Sequence, residues 1–244
     1  MAKHLRYILN YFLILLLLPS SAMSATYISH TRVIINEKMR DTSFTIYNEG
    51  LKPVLLQLWT EEDNIFDRPE ELITPFIILP PIFRLEGKTS RAVRVQFTGD
   101  QHTLPDDRES LFWLNSLEVP PSVGGKSDKG ALQIAFRTRL KLFWRPTTLA
   151  AITLEESIKE LSFSLSDCGG KRCLLVQNNS PLHVTLLDIT LSDGTELKQI
   201  PDDGLWAPLS AKTIFLPIKT KEKVTVKALS WIDDYGHINT YPPP

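Results

Sequence analysis

The chain has 244 residues, of which 43% are apolar and 23% are charged. This composition is typical of a globular protein with hydrophobic cores and excludes a disordered one. The 27 basic and 28 acidic residues nearly cancel, so the sequence indicates neither a nucleic acid nor an anionic membrane surface as a partner.

The N-terminal segment predicts a secretory signal peptide over residues 1–25. Positive charge at Lys3 and Arg6 precedes an apolar run, and small residues follow up to the two candidate cleavage positions, Ser24 and Ala25. The alternative is an uncleaved membrane anchor, which the short apolar run disfavours because a spanning helix needs about 20 apolar residues. We therefore expect an exported protein that does not insert into the membrane after the signal peptide is cleaved.

Residues 26–147 are interpreted as the first of two β-domains. Short stretches rich in β-branched and aromatic residues are separated by turn residues, and they predict seven strands, over 31–35, 42–47, 54–59, 76–79, 92–97, 111–119 and 131–144. Seven strands at this spacing favour an antiparallel sandwich. Prolines such as Pro80 and Pro121 fall at predicted strand ends, where a missing N–H costs least.

The strand predicted over 131–144 is unusually long and has two unlike faces. One face, at period two, carries Leu132, Ile134, Phe136, Thr138, Leu140 and Leu142, and the other carries Gln133, Arg137, Arg139 and Lys141. One interpretation places the whole apolar row in the domain's own core, as in most alternating strands. The other uses part of the row outside this core.

Residues 148–244 are interpreted as a second β-domain, because Pro146 ends the long strand and no motif crosses the segment from Pro146 to Ala151. Its predicted strands cover 161–165, 174–177, 184–191, 213–218, 224–229 and 231–240. Little of the chain is predicted to be helical.

The two cysteines, Cys168 and Cys173, are separated by the turn-forming sequence GGKR. In an exported protein this pair predicts a local disulfide that closes a hairpin, worth about 2 kcal/mol in the chain-entropy account. A structural zinc site is the weaker alternative, because no histidine pair lies nearby.

Five ordered segments give the chain a resemblance to a known family. They are Thr31-Arg32-Val33-Ile34, the run LPPIFRL from Leu79 to Leu85, the run DRESLFWLN from Asp107 to Asn115 with Glu118-Val119-Pro120-Pro121, the strand from Leu132 to Pro146, and Ile232-Asp233-Asp234-Tyr235-Gly236. In this order and spacing they are similar to the periplasmic pilus (fimbrial) chaperones. Each segment alone is unspecific, and their common order makes the resemblance strong.

The resemblance implies a fold and a function. The fold is all-β, with two immunoglobulin-like β-sandwich domains in an L-shaped arrangement. The implied function is to bind, fold and cap pilus subunits in the periplasm and to deliver them to an outer-membrane usher. Each subunit lacks one strand, and the chaperone fills the open groove with its own long edge strand. The expected partners are therefore pilus subunits and the usher, and self-association through the exposed edge is a further expectation.

The resemblance also implies roles for particular residues. Three apolar side chains fill the subunit groove, two basic side chains bind the subunit's terminal carboxylate, and a buried charge set near the domain junction fixes the angle between domains. The groove-filling side chains are Leu132, Ile134 and Phe136, and the carboxylate-binding pair is Arg32 and Lys141. The buried charge set is Glu109, Arg145 and Asp234. Since strict alternation places Lys141 opposite the apolar row, either the groove and the cleft lie on different sides of the strand or a bulge intervenes.

The connection between Pro121 and Ala131 is short and resembles the short-loop class of these chaperones, whose usual clients build rod-like pili. One feature departs from that class, because the cysteine pair lies early in the second domain and the C-terminal INTYPPP carries none.

An enzyme is not expected. The histidines at 30, 102, 183 and 237 are scattered, and no phosphate-binding loop or nucleophile elbow is present in the sequence. No cofactor or metal is expected either. The alternative from another class is a structural pilus subunit or a two-domain adhesin, which the presence of two domains and the lack of an apolar N-terminal donor segment disfavour.

Overall fold

The computed structural model describes residues 26–63, 65–121, 134–217 and 223–242. The predicted signal peptide lies outside these ranges. The described residues form two β-sandwiches in succession, and each encloses its own hydrophobic cluster. The prediction of an all-β fold with two immunoglobulin-like sandwiches is confirmed.

The first sandwich contains nine strands among its described residues. They are β1 (Thr26–Ile28), β2 (Arg32–Asn36), β3 (Asp41–Asn48), β4 (Val54–Glu61), β5 (Phe76–Leu79), β6 (Ile82–Leu85), β7 (Thr89–Phe97), β8 (Ser110–Val119) and β9 (Phe136–Arg145). Two short 3-10 segments, Pro69–Glu71 and Gln101–Thr103, lie in the connections.

These strands form two sheets, with the orders β1-β3-β7-β5 and β2-β9-β8-β4-β6. The prediction of a purely antiparallel sandwich is wrong at one pair, because β2 and β9 run parallel, with Arg32 opposite Lys141. The reason is a change of sheet: β1 pairs with β3 in the first sheet, and the chain then crosses to the second, where β2 joins the edge of β9.

A second change of sheet explains why the sequence did not predict β6. The prolines at 80 and 81 were interpreted as a strand end, whereas they mark the point where the chain leaves β5 for β6 in the opposite sheet. The Leu79–Pro80 bond is cis.

Within the described residues, β9 begins later than the strand predicted over 131–144. β9 begins at Phe136, whose partner is Glu118, and Ile134 and Ala135 lie outside the strand. The partner strand β8 ends one residue later at Val119 and is followed by two prolines, which have no N–H to continue the ladder. Residues 131–133 lie outside the described ranges.

Within the described residues, the second sandwich contains eight strands and one short helix. The strands are β10 (Leu161–Asp167), β11 (Arg172–Asn178), β12 (Val184–Leu191), β13 (Glu196–Leu197), β14 (Leu205–Trp206), β15 (Ser210–Phe215), β16 (Val226–Ile232) and β17 (Ile238–Tyr241). Their sheet orders are β10-β11-β15 and β13-β12-β16-β17, with β14 also pairing with β12. The predicted strands 224–229 and 231–240 were divided at the wrong place, because the turn lies between Ile232 and Ile238.

The helix α1 (Leu154–Lys159) was not predicted from the sequence. A capping box begins it: Thr153 Oγ1 accepts a hydrogen bond from the Glu156 N–H at 3.2 Å, and Glu156 Oε2 accepts one from the Thr153 N–H at 2.9 Å. A threonine followed three residues later by a glutamate was therefore the available signal. 3-10 segments at Thr147–Leu149 and Pro201–Gly204 complete the second domain.

The predicted disulfide is present. Cys168 and Cys173 are bonded across the turn that connects β10 and β11. In the part of the chain that the structure describes, no helix is long and apolar enough to cross a membrane.

The hydrophobic core of the first sandwich is organised around Trp144 near the end of β9. This side chain is 1% exposed and stacks on Phe97 with 4.0 Å between ring centroids. Phe76 meets both rings edge to face. The C-terminal half of β9 is therefore fixed in the domain's own core.

Replacing Trp144 by Ala is expected to lower the free energy of unfolding by about 3–5 kcal/mol, because it leaves a large cavity in this core. Phe136→Ala is the matched control, since Phe136 lies in the same row of β9 but is 61% exposed; its loss is expected to stay within about 0.5 kcal/mol. Urea denaturation measures both. Equal losses would contradict the placement of Phe136 outside the core.

Candidate functional site

The apolar row of β9 leaves its own core partway along the strand. Leu142 and Trp144 are buried and Leu140 is partly buried, whereas Phe136 and, beyond the strand, Ile134 are exposed, Ile134 at 52%. The interpretation that the whole row faces the domain's own core is therefore wrong for Ile134 and Phe136. Leu132, the third predicted groove residue, lies outside the described residues.

One backbone edge of the same half-strand is open. On one side β9 pairs with β8 from Phe136 to Trp144. On the other side it pairs with β2 only over Lys141–Arg145. Among the described strands, none pairs with the β2-side edge of residues 136–140, so the exposed apolar side chains and a free edge for hydrogen bonding coincide.

At Lys141 and Phe143 the opposite face of β9 lies against the second domain. Lys141 Nζ is 3.4 Å from Thr185 Oγ1, and the Phe143 ring is 5.2 Å from the ring of His183 between centroids. No register shift interrupts the pairing of β8 with β9. Phe136 and Lys141, which are predicted to have different roles, therefore lie on opposite faces of one regular strand, without a bulge between them.

The predicted basic pair is brought together by the parallel pairing of β2 with β9. Arg32 and Lys141 are register partners. Arg32 is 5% exposed, and its Nη1 donates a hydrogen bond to the Ile232 carbonyl at 3.3 Å. Its Nε is buried and has no hydrogen-bond partner among the described residues.

Neither cation of this pair forms an ion pair within the described part of the chain. Burial and the neighbouring Arg32 lower the pKa of Lys141 to about 8, and the more distant Lys212 acts in the same direction against Asp203. Burial also lowers the pKa of Arg32, although the charge of Asp234 opposes this shift. Two adjacent, partly desolvated cations without a contacting carboxylate form a site suited to an anion.

The predicted charge set is also assembled at the domain junction. Arg145 Nη2 lies 2.8 Å from Glu109 Oε1, and Arg145 Nη1 lies 2.7 Å from Asp234 Oδ2. Burial opposes the charge of Arg145, but hydrogen bonding to Asp234 and the charge of Glu109 outweigh it, so the pKa of this guanidinium is raised. Since Asp234 follows β16, the set joins the two sandwiches.

Sequence reasoning missed a fourth member of this set, His183. Its backbone N–H donates to Glu109 Oε2 at 3.0 Å, and its Nδ1 lies 2.9 Å from the same oxygen. The Glu109 N–H in turn donates to the Pro181 carbonyl at 2.9 Å. The sequence holds no signal for this contact, because the two residues are 74 positions apart.

Gly236 brings the last turn of the second domain against the first. Its φ is +88°, and a Cβ at this position would lie 2.4 Å from Thr31 Oγ1. A side chain here would be strained and would push Thr31, the residue before Arg32, away from the junction. The turn that holds Asp234 therefore requires glycine.

No group of three or more potential metal-ligating side chains occurs in residues 26–63, 65–121, 134–217 and 223–242. Both cysteines are occupied by the disulfide. The loop between Pro121 and Ala131, on which the short-loop assignment rests, lies outside the described residues, and that assignment stays a prediction.

Comparison with known families agrees with this geometry. Residues 25–150 match the family described as pili and flagellar-assembly chaperone, PapD N-terminal domain. Residues 156–242 match the family described as pili assembly chaperone PapD, C-terminal domain. Together these two matches cover nearly the whole of the described chain.

Individual relatives show the same similarity. The chain is 35% identical to the chaperone protein FimB/FhaD of Bordetella pertussis over 227 residues, which cover 92% of this chain and 89% of that protein. It is 32% identical to the chaperone protein PapD of Escherichia coli over 220 residues, covering 89% and 85%. The crystal structure of the CupB2 chaperone of Pseudomonas aeruginosa matches with a TM-score of 0.71 at 31% identity, covering 89% of this chain and 98% of that one.

The chain combines two sandwiches with an open strand edge beside a pair of basic side chains, and family models match both of its domains. These features define its class of protein. The chain belongs to the pilus-assembly chaperone family. It is a periplasmic chaperone for pilus subunits, and it is not an enzyme. The alternative identities, a structural pilus subunit or a two-domain adhesin, are set aside, because both domains of the chaperone family match.

Replacing Glu109 by Ala is expected to destabilise the protein by about 3 kcal/mol, because it removes one partner of a buried ion pair. Arg145 and His183 then both lose their contact with the Glu109 carboxylate. Thermal melting measures the loss, and small-angle scattering is expected to show a larger radius of gyration as the domains lose their fixed contact. The control is Asp107→Ala, whose exposed ion pair with Arg108 is two positions away. Equal melting temperatures for both variants would contradict a joining role for Glu109.

Proposed function

We propose that this chaperone captures a pilus subunit by lending it the free half of β9. The side chains of Ile134 and Phe136, together with Leu132 from the preceding segment, enter the groove that the subunit's missing strand leaves open. The observation that carries the proposal is the row that is buried at Trp144 and exposed at Phe136 and Ile134. Chaperones and pilus subunits are a known case of strand addition.

The free edge of residues 136–140 supports the same proposal. Added strands bind through main-chain hydrogen bonds, which require an unpaired edge, and through pockets for alternate side chains. Burying each large apolar side chain contributes about 1.5–3 kcal/mol. Three such groups on one strand outweigh the surface polar contacts of the same strand, which contribute about 1 kcal/mol or less each.

We further propose that Arg32 and Lys141 bind the terminal carboxylate of the subunit. A guanidinium presents two parallel donors to a carboxylate, and an ammonium adds a point charge. The buried and unpartnered Arg32 Nε and the lowered pKa of Lys141 support an anion as the missing partner. Anchoring one end of the subunit at the domain junction sets the register of the strand that pairs with β9.

The remaining assignments are proposals that rest on this one. Glu109, Arg145 and Asp234, with His183, hold the two domains at the angle that the cleft needs. The first domain extends over residues 26–147 and the second over 148–244, after a cleaved signal peptide that directs the chain to the periplasm. The loaded chaperone delivers its subunit to an outer-membrane usher, and the empty one protects its free edge by self-association.

Ile134→Asp is expected to abolish capture of a pilus subunit encoded in the same operon, because a carboxylate cannot enter an apolar groove without a large desolvation cost. The variant should keep its melting temperature, since Ile134 is exposed. Co-expression in the periplasm followed by pull-down measures capture. Ile77→Asp, at another exposed isoleucine of the first domain, is the matched control and should capture normally. Normal capture by Ile134→Asp would refute strand lending.

Binding of the terminal carboxylate is expected to weaken as the pH rises through about 8, by up to about tenfold per pH unit, because the ammonium of Lys141 must be protonated to attract it. The bound carboxylate raises the pKa of Lys141, so affinity is greatest below 8. The probe is a peptide with the C-terminal sequence of the subunit, as free acid and as amide, titrated by calorimetry.

In Lys141→Arg the guanidinium stays charged, so the pH dependence should flatten while binding is kept. Arg32→Ala and Lys141→Ala should both lose the preference for the free acid over the amide. A wild-type affinity that does not change between about pH 7 and pH 9, or equal binding of acid and amide, would rule out the carboxylate anchor.

A further inference from the structure

On the reverse face of the free half of β9, the guanidinium of Arg137 contacts three other segments of the first domain. Its Nε donates to Asn115 Oδ1 at 2.8 Å, its Nη2 to Glu61 Oε1 at 3.1 Å and its Nη1 to the Ile65 carbonyl at 2.6 Å. The same group lies over the Trp59 ring, 5.0 Å from the centroid. Arg137 therefore connects β9 to β8, to β4 and to the segment after β4.

Glu61 is the buried partner in this arrangement. Its side chain is fully buried, and Oε1 also accepts a hydrogen bond from Arg139 Nε at 2.7 Å. Arg139 in turn lies over the Trp113 ring at 3.7 Å. Both arginines bond to this one oxygen, and charge-assisted hydrogen bonds to a buried carboxylate are stronger than exposed ion pairs. We call Arg137, Arg139 and Glu61 the reverse-face clamp.

Other contacts do not hold this half of the strand firmly. Its inner row is exposed at Phe136 and Thr138, so core packing does not fix it there. Its β2-side edge is unpaired among the described strands. Backbone hydrogen bonds to β8 remain, and these end at Phe136. In the C-terminal half of β9, Leu142 and Trp144 are fixed by core packing. In the free half, the reverse-face clamp provides the side-chain contacts instead.

The position of Arg137 makes the clamp relevant to binding. Successive side chains of a strand point to opposite faces, so fixing the guanidinium of residue 137 on one face fixes the direction of residues 136 and 138 on the other. A strand held extended and correctly rotated before it meets its partner loses less conformational entropy on binding.

We propose that Arg137, with Glu61 as its buried partner, is a positioning residue for strand lending. The clamp keeps the free half of β9 extended and turns Phe136 and Ile134 toward the incoming subunit. The inference rests on the proposed function and adds a residue on the face of the strand that the subunit does not touch.

The test compares full-length variants by amide hydrogen exchange and by the kinetics of capture of the operon-encoded pilus subunit. In Arg137→Ala, exchange at residues 134–140 should accelerate about tenfold and capture should slow about tenfold. The melting temperature should stay close to that of the control Arg94→Ala, because Arg139 still partners Glu61. Arg94 is a matched control, since it is a strand arginine in an ion pair with Asp41 on the other sheet.

Arg137→Lys keeps a cation beside Glu61 but loses the planar fork. It should fold normally if Arg137→Ala does not, and its exchange and capture should be impaired in the same direction. Unchanged exchange and capture in both variants, with capture lost in Ile134→Asp, would overturn the inference and leave strand lending intact. Faster exchange with unchanged capture would also overturn it, because the clamp would then be structural only. Normal capture by Ile134→Asp would remove both proposals together.

Discussion

The structure depends on the fact that a β-strand has only two faces and two edges, and β9 uses all four. Its inner face enters the core of the first sandwich at Leu142 and Trp144 and emerges from it at Phe136. Its outer face meets the second domain at Lys141 and Phe143 and contacts the first domain at Arg137 and Arg139. One edge pairs with β8 along the whole strand, and the other pairs with β2 over only half of it. The proposed strand lending rests on that unequal use.

The cations on the outer face of β9 are also unequally paired with carboxylates. Arg137 and Arg139 share the buried Glu61, and Arg139 also pairs with the exposed Asp63. Arg145 pairs with Glu109 and with Asp234 of the second domain. Lys141, between these pairs, has no contacting carboxylate among the described residues and has Arg32 beside it. A partly buried cation pair without a contacting carboxylate is the arrangement expected at an anion-binding site, and it supports the proposed carboxylate anchor.

The second domain contributes position rather than a groove. It supplies Thr185 beside Lys141, His183 beside Glu109 and the tight turn at Gly236 against Thr31. These contacts come from separate parts of the second sandwich and meet the first domain within a few residues of β2, β8 and β9. The proposed carboxylate anchor requires such fixed contacts, because a mobile domain junction would let Arg32 and Lys141 adopt many relative geometries.

The sequence by itself determined the all-β class, the disulfide, most strands of both domains, and the grouping of Arg32 with Lys141 and of Glu109 with Arg145 and Asp234. The strands were predicted from local alternation and turn residues, and the site residues from the resemblance to the family. Only the tertiary structure decided where the apolar row of β9 leaves the core. The alternation of apolar and polar residues in the sequence is the same whether an apolar side chain is buried or exposed. It also decided the parallel pairing of β2, the changes of sheet, and the contacts of His183 and Glu61. Those depend on residues far apart in the chain that no local pattern connects.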